Sequence, residues 1–263
     1  MEVTSGKKWA VVLGASGGMG WAIVQRLAKE GFSILGVIRE RRQQEMYWQQ
    51  EAQSCAKAHG VEVIFQNEDG IREAAVNGLV QLLAEKAGPH GVSVFVHALA
   101  KGNLKSLAAE DERRMSTADL MLTFEAMAAS WWTWTSALYA AGVCEKGMLN
   151  LGLTSAGSQR VWPYYGAVGT TKAALEQLAA SMAVELGPKG IRTNVIQPGI
   201  TQTKALEMIP GAEQLVDFAK KNNPMGRLTL PEDVANVVYL LTTKDAAFIN
   251  GAVITVDGGE SLC

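Results

Sequence analysis

A doubly wound α/β fold, with one parallel sheet covered by helices on both faces, is predicted by three features of the sequence. Short apolar runs alternate with helix-period segments along the chain, the pattern of repeated βαβ units. A glycine cluster stands directly between the first apolar run and the first helical segment, where the backbone must turn tightly. A content of 48% hydrophobic and 19% charged residues supplies a sizeable core and is too low in charge for a disordered chain. Within 263 residues no linker, repeat or low-complexity block interrupts this alternation, so a single domain spanning 1–263 is expected.

The elements follow in order. Trp9 to Leu13 is apolar at every position and reads as a strand buried on both faces. Met19 to Glu30 places Ile23, Leu27 and Ala28 on one side of a helix that stops at Gly31. Phe32 to Ile38 is the second strand, Gln43 to His59 a polar-rich helix, and Val61 to Phe65 the third strand. Ile71 to Ala87 is a helix stopped by Gly88-Pro89, and Val92 to Val96 is the fourth strand. A helix around Ala118 to Ala141, a strand from Gly147 to Thr154 and a helix from Thr170 to Leu186 come next. Ile191 to Ile196 is the sixth strand, 199–227 a polar, Pro- and Gly-bearing stretch, Pro231 to Thr242 a helix, and Val253 to Val256 the seventh strand.

Bulk properties exclude several classes of function. A formal net charge of -2 gives no reason to expect a nucleic-acid partner or an electrostatic membrane anchor. Every apolar run is broken well before the ~18 residues a membrane span needs. Met1 to Lys8 is short and polar, unlike a secretory leader. Cys55, Cys144 and Cys263 are odd in number and far apart, and His59, His90 and His97 are scattered, so neither a disulfide framework nor a metal site is expected. A reducing, cytoplasmic setting fits this usage.

The glycine cluster carries the first chemistry. Gly14-Ala-Ser-Gly-Gly18-Met-Gly20 lets the backbone approach a ligand closely, and the helix that follows offers free N–H groups and a positive dipole end to a pyrophosphate. With its place after the first strand, this predicts a Rossmann-type dinucleotide site at Gly14, Ser16, Gly18, Met19 and Gly20, although the spacing is G-x3-G-x-G. An acid at the end of the second strand would bind the ribose 2′-hydroxyl of NAD, but that place is Ile38 and Arg39 follows. A guanidinium suits a 2′-phosphate, so NADPH is expected; Glu40, next in line, keeps NADH possible.

These residues resemble the short-chain dehydrogenase/reductase family. The likeness extends through Asp69 after the third strand, Ser155 after the fifth, Lys172 in GTTKAAL, Pro198-Gly199 with Thr203, and the ending Val256-Asp257-Gly258-Gly259. Carbonyl-reducing members carry Tyr-x3-Lys, but here Val168 stands four residues before Lys172. Tyr165 gives Tyr-x6-Lys instead, which looks like the enoyl-acyl-carrier-protein reductase branch. Phe95-Val-His-Ala-Leu-Ala100 is similar to that branch's FVHSIG segment, and Met127 falls near the place of the carbonyl reductases' proton-relaying Asn. The best-known enoyl reductases have a second tyrosine ten residues before the catalytic one, where this chain has Ser155.

The shifted tyrosine has a chemical reason. In ketone reduction, hydride reaches the carbon bonded to the oxygen that becomes anionic. In enoyl-thioester reduction it reaches C3 while charge grows on the C1 oxygen, two carbons away, and the donor to that oxygen must move outward too. The resemblance implies Tyr165 as that donor, Lys172 on the nicotinamide ribose, and Ser155 orienting the thioester carbonyl. It further implies Thr201 and Thr203 at the carboxamide, Asp69 at the adenine, and Gly70, Ala98, Pro198 and Gly199 along the cofactor. The resemblance also makes 199–227 the mobile substrate-covering segment; Ala100, Trp131, Trp162, Leu206, Met208 and Ile209 are the expected acyl-pocket residues, although the Trp131, Trp132 and Trp134 cluster also suits core or subunit packing. His97 reads as a satisfied structural histidine.

The expected activity is therefore NADPH-dependent reduction of an enoyl thioester, on acyl carrier protein or CoA, in fatty-acid synthesis by a homotetramer. Two alternatives stay open. Ser155 suits reduction of a ketone, a 3-oxoacyl thioester or a hydroxysteroid, and a nucleotide-binding regulator without catalysis would share the same fold.

Overall fold

The computed structural model describes residues 7–89, 91–111 and 114–263; His90 and most of the polar Met1 to Lys8 stretch lie outside them. Seven strands form one sheet in the order β3-β2-β1-β4-β5-β6-β7. They are β1 (Trp9–Leu13), β2 (Ser33–Ile38), β3 (Val63–Asn67), β4 (Val92–His97), β5 (Cys144–Leu153), β6 (Ile191–Pro198) and β7 (Val253–Val256), and every neighbouring pair is parallel. The predicted Rossmann-type doubly wound sheet is what forms.

Helices cover both faces because alternate strand residues point to opposite sides. Ala10 and Val12 of β1 pack with Ile23 and Leu27 of α1 (Gly18–Lys29), Trp48 of α2 (Arg42–His59), and Val234 and Val238 of α9 (Pro231–Thr242). Val11 and Leu13 face the other way. They meet Val76 and Leu79 of α3 (Glu73–Ala87), Trp131 and Trp134 of α5 (Ser130–Ala140), and Leu175 and Ala179 of α6 (Gly166–Leu186).

Strand order reverses between β1 and β4, and the crevice outside the carboxyl ends of such strands is where ligands bind in open α/β sheets. In-register pairing of Leu13 with Val37 and with His97 brings three strand ends together. Gly20 then lets α1 start close above them, since a Cβ there would stand 2.0 Å from the carbonyl oxygen of Gly14.

Three segments differ from the sequence expectation. The helix expected around Ala118 to Ala141 is α4 (Thr117–Phe124) and α5 joined through a π turn at Glu125–Ala129. Such insertions change the helical phase and recur at functional sites; here the turn holds Met127 against Val168. Helix α6 begins at Gly166, four residues before the expected Thr170, so Tyr165 is its N-terminal flank. Segment 199–227 contains α7 (Lys204–Glu207), capped by Thr203, and α8 (Ala212–Asn222), which follows left-handed Gly211. A polar sequence hid α8, in which Leu215 and Phe218 turn inward to line the cavity described next.

Candidate active site

Two adjoining cavities lie at the switch point. The smaller, about 350 Å³, is lined by Gly14, Ser16, Ile38, Arg39, Asp69, Gly70 and Ala100. The larger, about 980 Å³, is lined by Met19, Ala98, Ser155, Tyr165, Lys172, Pro198, Gly199, Thr201 and Thr203, and it runs out under Trp162, Leu206, Met208 and Ile209. Most of the residues expected from sequence therefore meet around one continuous crevice.

The smaller cavity suits an adenosine end. No side chain caps the N-terminus of α1, which leaves its first N–H groups for a ligand, and Thr203 packs beside Gly18. Arg39 stands 3.6 Å from Asp69 and is 60% exposed, free to swing toward an anion. Ser16 donates to Glu40 at 2.7 Å, so the carboxylate that sequence left as a ribose partner is drawn against the glycine loop. Gly20 is buried beneath the loop, and its part is helix–strand packing.

The larger cavity holds the reactive groups. Tyr165 donates its hydroxyl to Ser155 Oγ at 3.3 Å. Its ring seats over Gly157, where a Cβ would come within 2.4 Å of Tyr165 Cε1. Burial pushes the phenol's pKa up, and the bond to Ser155 offsets part of that rise. Lys172 is buried and donates to the Leu153 carbonyl at 2.7 Å. Burial lowers its pKa to about 8, against the upward pull of Glu176. Lysine thus stays largely protonated at neutral pH.

Val168, at the position of a Tyr-x3-Lys phenol, packs with Ala126 and Met127 in a small apolar cluster, and Tyr165 leans on it. Both departures from the carbonyl-reductase pattern are therefore one packing unit. Trp162 meets the Tyr165 ring edge to face, with centroids 6.3 Å apart, and forms the cavity wall expected of it. Trp131 does not. It is fully buried between α5 and the sheet, donating its indole N–H to Asn150 Oδ1 at 2.6 Å, and is a core residue rather than a pocket residue. Trp134 is equally buried and bonds the Gly70 carbonyl, whereas Trp132 is exposed.

His97 is buried, with Nε2 on Ser130 Oγ at 2.8 Å and Nδ1 without a partner, so it is only half satisfied. Burial first, and then the charge of Lys172, lowers its pKa to about 3 and keeps it neutral. Sequence reasoning missed the walls supplied by Leu215, Phe218, Arg160 and the C-terminal Glu260. An apolar i, i+3 pair on α8 was the available signal for the first two.

A dinucleotide fits this crevice on the chain's own geometry: an uncapped helix N-terminus, a glycine loop whose Gly14 and Ser16 line the cavity, and a buried ammonium at the far end. Among the described residues no helix is long and apolar enough to cross a membrane.

Comparison with known proteins agrees with the geometry. Residues 14–261 match the family model described as Enoyl-(Acyl carrier protein) reductase. A (3R)-3-hydroxyacyl-CoA dehydrogenase of Canis lupus familiaris is 30% identical, over 95% of this chain and 95% of that protein. Enoyl-[acyl-carrier-protein] reductase [NADH] 2 of Rhizobium meliloti (strain 1021) is 30% identical, over 72% of this chain and 68% of that protein. The solved enoyl-(acyl-carrier-protein) reductase of Anaplasma phagocytophilum, in complex with NAD, superposes with a TM-score of 0.82 over 100% of this chain and 96% of that one; at 22% identity it speaks to the fold alone.

Proposed function

The chain belongs to the short-chain dehydrogenase/reductase family of oxidoreductases, and within it we propose an enzyme that reduces the trans-2 double bond of an enoyl thioester, with NADPH preferred. The observation that carries this reading is the placement of the phenol. Tyr165, seven residues before Lys172, reaches the cavity beside it, while the Tyr-x3-Lys position on the same wall holds Val168, an apolar side chain with no donor, packed on Ala126 and Met127.

A reduced nicotinamide supplies the hydride when bound. Lys172 is the residue to hold its ribose, Thr201 and Thr203 its carboxamide, Asp69 the adenine, and Arg39 the 2′-phosphate. Tyr165 donates a hydrogen bond to the thioester oxygen as that atom gains charge, and Ser155 orients the same carbonyl. Solvent returns the proton to C2. Leu206, Met208, Ile209 and Trp162 exclude water from the acyl chain, the usual task of a covering segment.

The substrate's carrier is an acyl carrier protein or CoA, and the setting is cytoplasmic fatty-acid synthesis, in keeping with cysteines that form no disulfide among the described residues. A homotetramer belongs to this reading: Met121, Leu122, Phe124 and Trp132 on α4–α5 are exposed apolar groups that a second copy would cover.

Ser155 favours a second reading. A Ser–Tyr hydroxyl pair at 3.3 Å can polarise a ketone whose own carbon is reduced. Crotonyl-CoA and acetoacetyl-CoA, offered separately with NADPH while its absorbance is followed, decide between them. We expect turnover of the enoyl thioester; turnover of the keto substrate alone would replace the proposed reaction with ketone reduction.

Cofactor choice is tested at Arg39. Arg39→Ala is expected to raise KM for NADPH about ten- to thirtyfold, since hydrogen bonds to charged groups contribute roughly 1.5–3 kcal/mol and this side chain is partly screened. KM for NADH should stay unchanged. Equal losses with both nucleotides would assign Arg39 to its pairing with Asp69 instead.

A further inference from the structure

Three consecutive residues where β5 runs into the loop each hold a different side chain of the α6 face. Leu153 accepts from Lys172 at 2.7 Å, Thr154 donates to Glu176 at 2.5 Å, and Ser155 meets Tyr165 at 3.3 Å. The spacings 165, 172 and 176 are two helical turns and then one, so all three side chains share a face. Tyr165 and Lys172 already have roles; Glu176 has none in the reaction so far described.

We propose that Glu176 is a positioning residue of the reduction: pinned by Thr154 one turn beyond Lys172, its carboxylate is the counter-charge that keeps the buried ammonium protonated and turned toward the bound nucleotide. This rests on the reading of Lys172 as the ribose-binding residue.

The neighbourhood leaves Glu176 as the group for this task. A fully buried ammonium loses hydration, and burial alone drives it toward the neutral amine. Leu153 gives it one carbonyl, which is a dipole and not a charge. From β4 the facing group is His97, held neutral by burial. From the N-terminal flank of α6 it is Tyr165, whose phenol is kept protonated by burial. Gln197 of β6 carries no charge. Asp257 and Glu260 line the same cavity, but their carboxylates are taken up by the N–H groups of Gly259 and Ser261 and of Ile200. Lys101 and Arg160, also on its walls, carry the wrong sign. Glu176 is the charge that raises the pKa of Lys172 against burial, which leaves it at about 8.

The sign of the effect follows. Lysine loses its charge as pH rises through its pKa, and removing the carboxylate moves that loss to lower pH. The test is NADPH binding by fluorescence titration from pH 6 to pH 9.5, with no acyl substrate present, so its outcome does not depend on which acceptor the enzyme reduces. In the native protein, affinity should weaken on the alkaline side. In Glu176→Gln this limb should move about one pH unit toward acid, with affinity at pH 6 unchanged and several-fold weaker at pH 8. Thr154→Val, which keeps the carboxylate but frees it, should move the limb less and in the same direction, and it carries the test if the glutamine variant does not fold. An unmoved limb in both variants, or a loss of equal size at pH 6 and pH 9, would overturn the proposal.

Discussion

Tyr165→Phe is expected to lower kcat for crotonyl-CoA reduction by about 10²–10³, the usual loss when one donor to a developing oxyanion is removed. The change deletes a single oxygen. The ring keeps its edge-to-face contact with Trp162 and its seat over Gly157, so folding and NADPH affinity should hold. KM should change little, because the hydrogen bond strengthens only as charge grows on the thioester oxygen. Ser155→Ala separates this chemistry from ketone reduction. If Ser155 only orients the carbonyl, its loss should cost about tenfold; if it polarises a ketone jointly with Tyr165, the two losses should be alike in size and should not multiply. Tyr164→Phe is the internal control. Tyr164 also lines the cavity, but it is half exposed, with a positive φ of 66°, and it is Tyr165 that bonds Ser155, so the Tyr164 hydroxyl should be dispensable. A tyrosine variant at 165 with native kcat would remove the proposed mechanism.

The same residues show what the sequence could and could not disclose. Strands were legible because a parallel sheet covered on both faces is apolar at nearly every position, as in WAVVL and SILGVI. The site's linear spacing was legible too: the Tyr-x6-Lys pattern pairs Tyr165 with Lys172, and because positions seven apart share a helix face, the two line one cavity. Three things escaped for physical reasons. The π turn at Glu125–Ala129 breaks the 3.6-residue period, so no periodic reading of that segment gives the orientation of Met127. Helix α8 is polar over most of its surface because it covers a cavity and not a packed layer. Contacts between distant residues, such as Ser16 with Glu40 and Thr154 with Glu176, have no periodic signature at all.

Trp131 is the instructive case, and its removal should have the largest effect on stability. Helix α5 reads SWWTWTSALYA, apolar around much of its circumference, so periodicity does not choose between a face on the core and one on the acyl pocket. The structure chooses the core: Trp131 is 0% exposed, stacks obliquely near His97, and bonds Asn150 inside the α5–sheet layer. Trp131→Ala should therefore destabilise the fold by ~3–5 kcal/mol, from the lost burial and the cavity left behind. Trp131→Phe should cost less, about 1–3 kcal/mol, chiefly because Asn150 Oδ1 is then left buried without its donor. Chemical denaturation, with attention to the midpoint at constant slope, measures both. Trp162→Ala supplies the contrast. That side chain lines the acyl-side cavity, so its loss should raise KM for long acyl substrates while leaving the midpoint nearly unchanged. The reverse pattern, a stable Trp131→Ala with weakened substrate binding, would put Trp131 back in the pocket. It would also mean that α5 is rotated about its axis, a movement that would carry Leu138, seven residues along the same face, out of the core with it.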